Sequence, residues 1–164
     1  MKFLGAIVIW SCITCAGFSV SSRLVRRKSL FDGLVLLVDN IYNDIRYFSR
    51  PISEAILSNS MYLDNRLVDK LVRKTDEGED FPLAWESVIA GSDLPLSNAE
   101  KDKIISMVLN LGKSDSEIQL NILNSYKAYF LKMAEAAETR KNKYSAPISV
   151  SSALLGAAVF LVLI

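Results

Sequence analysis

The chain has 164 residues, a formal net charge of +1, no histidine and two cysteines, and 51% of its residues are hydrophobic. Without histidine it lacks the commonest general base at neutral pH, a usual zinc ligand and any Ser-His or Cys-His nucleophile. The length allows one ordinary domain with membrane segments added, and the balanced charge excludes a broad electropositive surface for nucleic acid.

The chain begins with an uncharged stretch, residues 3–20 (FLGAIVIWSCITCAGFSV). Eighteen helical residues span about 27 Å, slightly less than the roughly 30 Å hydrocarbon core of a bilayer. The stretch is longer than the core of a secretory signal, and Trp10 and Phe18 are bulky near possible cleavage points, so a retained anchor is favoured over a cleaved signal. Cys12 and Cys15 have redox-like spacing, but an apolar helix gives them no water access, and we interpret them as packing residues.

An amphipathic helix is predicted over residues 30–49. Its apolar residues recur every three or four positions: Leu30, Leu34, Leu37, Ile41, Ile45 and Phe48. Ser29 and Asp32 could cap it, or it could continue without a break from the membrane segment. Pro51 disfavours helix in the residue before it and suits the first turn of a second, short helix, PISEAILSN.

A third helix is predicted over residues 61–74, with its leucines facing inward. The acidic run 75–80 (TDEGED) predicts an exposed turn, and a solvated charge cluster is favoured there over a carboxylate metal site. Phe81-Pro82 begins a fourth helix that Gly91 closes, with Trp85, Val88 and Ile89 on one side.

A fifth helix is predicted from Ser97 to about Leu111. Ser97 and Glu100 form a Ser-x-x-Glu capping box, which is typical of a helix start. Gly112 suits the end of this helix, because a residue without Cβ takes positive φ at low cost.

The stretch 110–115 (NLGKSD) contains the Gly-Lys-Ser ending of a nucleotide-binding phosphate loop. That loop needs a second glycine five residues before Gly112, where the chain has Met107, and it needs a strand in front of it. Ser114 also starts a second Ser-x-x-Glu box. We therefore interpret the stretch as a corner between two helices, and a nucleotide site using Lys113 is the disfavoured alternative.

The sixth helix is predicted to be the longest. From Asp115 on, apolar residues follow the helical period: Ile118, Ile122, Tyr126, Tyr129, Met133 and Ala137. Pro147 then marks a hinge or the first turn of another helix. Residues 148–164 (ISVSSALLGAAVFLVLI) carry no charge and have no polar stripe, which favours a membrane helix over a buried core helix.

Basic residues flank both uncharged segments on their inner sides: Arg23, Arg26, Arg27, Lys28, Arg140, Lys141 and Lys143. The positive-inside rule therefore places residues 23–146 in the cytoplasm and both termini outside, with the basic flanks near anionic lipid. The expected fold is all-α: a transmembrane helix in residues 1–22, a cytoplasmic domain of about six helices in residues 23–146 and a second transmembrane helix in residues 147–164.

No catalytic residue, metal site or cofactor is predicted. The two predicted spans contain no Asp, Glu, Lys or Arg, the groups that mark ion or proton pathways in membranes. A scaffold is therefore favoured over an enzyme or a transporter. The alternative from another class is an oligomeric pore built from small-residue faces around Gly5, Ala6, Gly156 and Ala157.

Several motifs resemble, in order, the stage III sporulation protein AB family of endospore-forming Firmicutes. One is similar to the signature Leu-Gly-x-Ser-Asp-x-x-x-Gln: Leu111, Gly112, Ser114, Asp115 and Gln119. Another is similar to an acidic-Ile-x-Tyr pattern followed by Pro-Leu-x-x-Ala: Asp44, Ile45, Tyr47, Pro51, Ile52 and Ala55. A third is similar to an Ala-Trp-Glu motif: Ala84, Trp85 and Glu86. The family's second span carries a glycine pair, whereas here serines and a single Gly156 occupy that region.

The resemblance implies a subunit of a secretion-like channel complex between mother cell and forespore, in the mother-cell membrane around the forespore. It also implies a helical domain similar to the inner-membrane platform proteins of type II secretion and type IV pilus machines. The implied partners are a cytoplasmic ATPase, the stage III sporulation protein AA, other channel subunits and further copies of the chain, without nucleic acid. Residues expected to serve interaction or packing are Tyr47, Pro51, Ala84, Trp85 and Glu86.

Overall fold

A computed structural model describes the backbone of residues 2–111 and 116–163. Every regular element in that part of the chain is helical, which confirms the all-α prediction. The elements are α1 (Lys2–Asn43), a π-helical turn (Asp44–Phe48), α2 (Ile52–Ser58), a 3₁₀ turn (Ser60–Tyr62), α3 (Asn65–Asp76), α4 (Phe81–Ala90), α5 (Asn98–Asn110) and α6 (Ser116–Leu163).

The chain divides into two compact units. One unit combines Met1–Lys28 with Glu135–Ile164, and the other is Ser29–Ala134. We call them the terminal unit and the central unit.

The two long helices settle two alternatives that the sequence left open. α1 continues through Ser29 without a break, so this residue does not start a separate helix. α6 continues through Pro147, so this residue does not form the first turn of a separate helix. The Pro147 carbonyl accepts a hydrogen bond from Ser151 Oγ at 2.5 Å.

The core of the central unit is built from one face each of α1, α2, α3, α4, α5 and α6. Fully buried side chains among the described residues include Phe31, Leu37, Ile41, Trp85, Ile89, Ile104, Met107, Leu123 and Phe130. α6 is held to α5 by Tyr126 Oη, which lies 3.0 Å from Ser106 Oγ and accepts from Asn110 Nδ2 at 3.1 Å. It is held to α1 by an ion pair of 2.5 Å between Lys127 Nζ and Asp39 Oδ1.

Two of the predicted apolar stripes were wrong in part. Phe48 was expected on the buried face of its helix but is 65% exposed, because the wide π-helical turn shifts it away from Ile41 and Ile45. On α6, Ile118 is 51% exposed. The buried stripe there instead contains Leu123, Tyr126, Phe130, Ala134 and Ala137.

The helix ends follow local side-chain chemistry. Asp64 accepts a hydrogen bond from Arg66 N at 3.0 Å and starts α3 four residues later than predicted. At the predicted capping box of α5, Glu100 Oε2 accepts from Ser97 N at 2.8 Å and from Ser97 Oγ at 2.9 Å. The acidic run forms the predicted turn, in which Gly78 has φ of 88°.

One glycine of the central unit lies where two chain segments nearly touch. Gly33 is inside α1, and the backbone carbonyl oxygen of Tyr62 occupies the space that a Cβ at Gly33 would need. This approach fixes the 3₁₀ turn against α1 and accepts no side chain larger than hydrogen without backbone movement.

In the terminal unit, α1 and α6 meet through small residues. Gly17 faces Ser152, whose side chain lies where a Cβ at Gly17 would be. Ser21 Oγ lies 2.6 Å from Ser145 Oγ. The order of these contacts makes the two helical segments antiparallel, and the close approach is typical of contacts through glycine and serine.

Within the described residues, no helix meets the combined length and hydropathy that a membrane crossing requires.

Candidate functional site

A groove of about 670 Å³ opens on the central unit where three helix ends converge. Its lining residues come from the start of α2, the start of α4 and the end of α5: Pro51, Ile52, Ser53, Asp80, Phe81, Pro82, Val108, Leu109 and Leu111. Pro51 and Leu111 belong to the sequence motifs singled out above. The groove therefore brings together residues that are 60 positions apart in the chain.

The part of the groove lining that begins at Pro51 comes shortly after the π-helical turn in the sequence. Asp44 is buried, and its carboxylate accepts a hydrogen bond from Asn59 Nδ2 at 2.8 Å and pairs with Arg50 at 3.6 Å. Ser49, which ends the turn, has φ of 50°, a left-handed conformation that side chains other than glycine adopt at a cost. Pro51 then directs the chain into α2.

The π-helical turn also creates what we call the cationic corner, formed by Arg46, Tyr47, Phe48 and Arg50. Tyr47 is 68% exposed. The Arg46 guanidinium lies 5.6 Å from the ring centre of Tyr47, and that of Arg50 lies 5.3 Å from the ring centre of Phe48. Each cation is thus stacked on an exposed aromatic ring.

Arg46 has one further contact, with Tyr42 in the last turns of α1. Its Nη1 donates to Tyr42 Oη at 3.0 Å, and this hydrogen bond, together with electrostatic attraction to Tyr42 and Tyr47, raises the pKa of Arg46 above its ordinary value. The guanidinium is therefore a permanent positive charge. Among the described residues, no carboxylate pairs with it.

The Ala-Trp-Glu motif lies on α4 and divides between core and surface. Ala84 and Trp85 are buried, and Trp85 Nε1 donates to the carbonyl oxygen of Ile104 at 3.2 Å, which joins α4 to α5. Phe81, which lines the groove, stacks on Trp85 with 6.4 Å between ring centres. Glu86 is exposed on the opposite face of the helix.

The Leu-Gly-x-Ser-Asp signature lies partly outside the described residues. Leu111 is buried and lines the groove, and Gln119 is half-buried on α6. Gly112, Lys113, Ser114 and Asp115 lie outside the described part of the chain, and so do the predicted corner between two helices and its disfavoured alternative, a phosphate loop. Of the small residues considered for a pore, only Ala157 has a described side chain, and it is exposed.

The acidic run, residues 75–80, contains two carboxylates that form ion pairs and one, Asp80, that lines the groove. Glu79 pairs with Lys74 at 2.7 Å and Glu77 with Arg73 at 3.8 Å. Asp80 lines the groove, and the described residues include no cation paired with it. No group of three potential metal ligands forms within residues 2–111 and 116–163.

The basic residues next to the uncharged segments all lie in the terminal unit. α1 carries Arg23, Arg26, Arg27 and Lys28, and α6 carries Arg140, Lys141 and Lys143.

The side chains of Cys12 and Cys15 are free thiols and exposed.

Sequence reasoning missed Asn59 and Arg46. Asn59 holds the buried Asp44 from 15 positions away, and no local pattern marks that pair. Arg46 is an ordinary charged residue in sequence, and no signal predicts its stacking on Tyr47. Asp80 was considered only as part of the acidic run, and the fold places it in the groove lining.

These features define an all-α protein whose candidate site is a surface groove between helix ends, lined in part by Asp80 of the acidic turn. The chain belongs to the stage III sporulation protein AB family, because the profile of that family matches residues 2–164. No curated protein and no solved structure matches the chain.

Proposed function

We propose that this chain is a non-catalytic platform subunit of a sporulation-specific, secretion-like channel complex in the mother-cell membrane around the forespore. In this role it anchors a helical domain beside the membrane and docks a cytoplasmic ATPase, the stage III sporulation protein AA. The observation that carries the proposal is the pair of uncharged terminal segments, each with basic residues on its inner side.

The membrane part of the proposal uses residues 1–22 and 147–164 as two antiparallel spans, with residues 23–146 in the cytoplasm. The contact of Gly17 with Ser152 supports this arrangement, because helices in a bilayer approach each other through small side chains.

The docking part of the proposal uses the outer face of α4. Leu83 and Glu86 are exposed there, one helical turn apart, whereas Trp85 holds the opposite face in the core. An exposed apolar residue beside a carboxylate suits a protein contact, and the described residues include no ion pair to Glu86. Because α4 packs against α5, a force applied to this face would be transmitted to the rest of the central unit.

Photocrosslinking tests the docking. A photoreactive phenylalanine analogue at Glu86 is expected to crosslink to the ATPase when both proteins are produced in sporulating cells, whereas the same analogue at Asp69, exposed on α3, is not. Equal crosslinking from both positions, or none from Glu86, would remove this face from the proposal.

Cysteine labelling tests the membrane topology separately. In a variant with Cys12 and Cys15 replaced by serine, a Glu77→Cys thiol is expected to resist a membrane-impermeant reagent in intact cells and to react after lysis. Glu77 is preferred to Gly78 because a side chain at the positive φ of Gly78 would be strained. Labelling in intact cells would show that the central unit is outside the cytoplasm.

A further inference from the structure

We propose that the groove binds a basic segment of a partner protein, one in which an Arg or Lys is flanked by apolar residues. The groove supplies an apolar surface for the flanking residues and the Asp80 carboxylate for the cation. The inference concerns a contact separate from the α4 face that contains Glu86, and it does not depend on the proposed function.

The lining of the groove is mainly apolar. Seven of its nine residues are apolar, among them Phe81, Leu109 and Leu111. The volume of about 670 Å³ is within the range of about 300–1,000 Å³ of ligand pockets, which combine an apolar lining with a small number of polar groups. Apolar side chains of a peptide that enter this space remove its lining from water, which favours binding.

Asp80 is the one ionisable residue among the described residues that line the groove. It occupies the N-cap position of α4, where an aspartate carboxylate usually accepts a hydrogen bond from a backbone N–H of the first turn. That cap bond is not formed, and no cation in the described part of the chain pairs with Asp80. Glu77 and Glu79 of the same acidic run are paired, with Arg73 and Lys74. The Asp80 carboxylate is therefore available to a cation of another molecule.

The charge of the whole central unit also favours a basic partner. The unit contains 11 Lys and Arg against 16 Asp and Glu, a net charge of −5. This charge attracts a basic segment, whereas it repels an acidic peptide, an anionic lipid surface and the central unit of a second copy. The local charge in the groove and the charge of the unit thus select the same sign of partner.

Arg and Lys side chains suit a groove that combines a carboxylate with apolar walls. Their aliphatic stems cover apolar surface while the charged group stays at a polar site. A guanidinium also forms two parallel hydrogen bonds with a carboxylate and stacks on aromatic rings. Phe81 follows Asp80 directly, lines the same groove and is fixed by stacking on Trp85 at 6.4 Å. Both contacts are therefore available to one Arg side chain of the partner.

Peptide arrays probed with the full-length chain in nonionic detergent test the charge preference. Each peptide has Leu, Ile, Phe or Pro on both sides of a central Arg, Lys, Gln or Glu. The wild-type chain is expected to bind Arg and Lys peptides at least about tenfold better than Glu peptides, because a Glu places a like charge beside Asp80. Asp80→Arg is expected to reverse this order. Asp69→Arg, the same change at an exposed position of α3, alters the net charge equally and is expected to keep the wild-type order.

Filling the groove tests its apolar part separately. Ser53→Phe places a large ring in the lining and is expected to weaken the binding of a labelled Arg peptide from the array by about tenfold or more. Ser58→Phe, at an exposed position of α2 outside the lining, is expected to bind this peptide as the wild type does. Fluorescence anisotropy with detergent alone as the blank gives the affinities, and far-UV circular dichroism checks that every variant folds.

Several results would overturn the proposal. They are equal binding of Arg and Glu peptides, an unchanged order of peptides in D80R, a reversal in D69R as complete as in D80R, and equal peptide binding by S53F and S58F. If the wild-type chain bound spermidine but no array peptide, the groove would be a site for a small cation. A dimer in sedimentation equilibrium that S53F dissociates and S58F does not would assign the groove to a second copy instead.

Discussion

The Gly33→Ala substitution tests the packing of α1 through the sign of its effect on stability. Glycine inside a helix costs about 1 kcal/mol relative to alanine, because the unfolded backbone loses more freedom. Without a close neighbour, G33A would therefore stabilise the protein. Here the Tyr62 carbonyl oxygen lies where the new Cβ would be placed, well inside van der Waals contact.

The contact with the Tyr62 carbonyl determines whether G33A stabilises or destabilises the protein. A backbone atom cannot rotate away from the new Cβ as a flexible side chain could. Overpacking of this kind costs about 1–3 kcal/mol, which exceeds the gain in helix propensity. We expect G33A to lower the free energy of unfolding by about 1–2 kcal/mol. For a chain of this length, that corresponds to a fall in Tm of about 2–8 °C, measured by far-UV circular dichroism of the full-length protein in detergent.

Two control variants measure helix propensity and backbone strain separately from the close contact at Gly33. Ser29→Ala, at an exposed position on α1, is expected to raise the stability by up to about 0.5 kcal/mol through helix propensity alone. Gly78→Ala is expected to lower it by about 1 kcal/mol, because φ of 88° is strained for alanine although no atom lies within 4 Å of the new Cβ. A rise in Tm for G33A similar to that of S29A would refute the close approach of Tyr62 to α1.

Three further substitutions test other contacts. Asn59→Ala removes the hydrogen bond to the buried Asp44 carboxylate and is expected to cost about 1.5–3 kcal/mol in thermal unfolding. Tyr126→Phe removes the hydroxyl that two side chains of α5 contact and is expected to cost about 1 kcal/mol. In a background without native cysteines, Ser21→Cys with Ser145→Cys is expected to form an intramolecular disulfide, because the two hydroxyl oxygens are 2.6 Å apart.

Matched variants on exposed positions make these three results interpretable. Asn124→Ala and Tyr144→Phe change the same residue types at exposed sites and are expected to leave the Tm nearly unchanged. Ser22→Cys with Ser145→Cys moves one thiol to an exposed position of α1 and is expected not to form the disulfide. If the two variants of any of these three comparisons behaved alike, the contact in question would not contribute as described.

The helix ends could be predicted because the interactions that fix them act within one helical turn. The Ser97–Glu100 box, Pro51 before α2 and Gly91 after α4 each work through neighbours in sequence. The π-helical turn could not be predicted in the same way. It places Phe48 in solvent and begins at Asp44, whose hydrogen-bond partner Asn59 is brought to it by the fold.

The buried face of α6 shows a different limit of sequence reasoning. Two apolar stripes overlap along this helix, one through Ile118 and the other through Leu123 and Phe130, and both include Tyr126. Periodicity alone does not choose between them, because both repeat every three or four residues. Packing on α5 and α1 selects the second stripe. The groove could not be predicted from the sequence either, because its lining comes from three separate helix ends.

The stacking of Phe81 on Trp85 gives the protein an intrinsic optical probe. Phe81 lines the groove, and the buried indole of Trp85 is in contact with it and bonded to the Ile104 carbonyl. The chain has two tryptophans, so replacing Trp10 by phenylalanine leaves emission from Trp85 alone. Whatever occupies the groove would change the surroundings of that ring pair, and its arrival could be followed in real time by fluorescence without an attached dye.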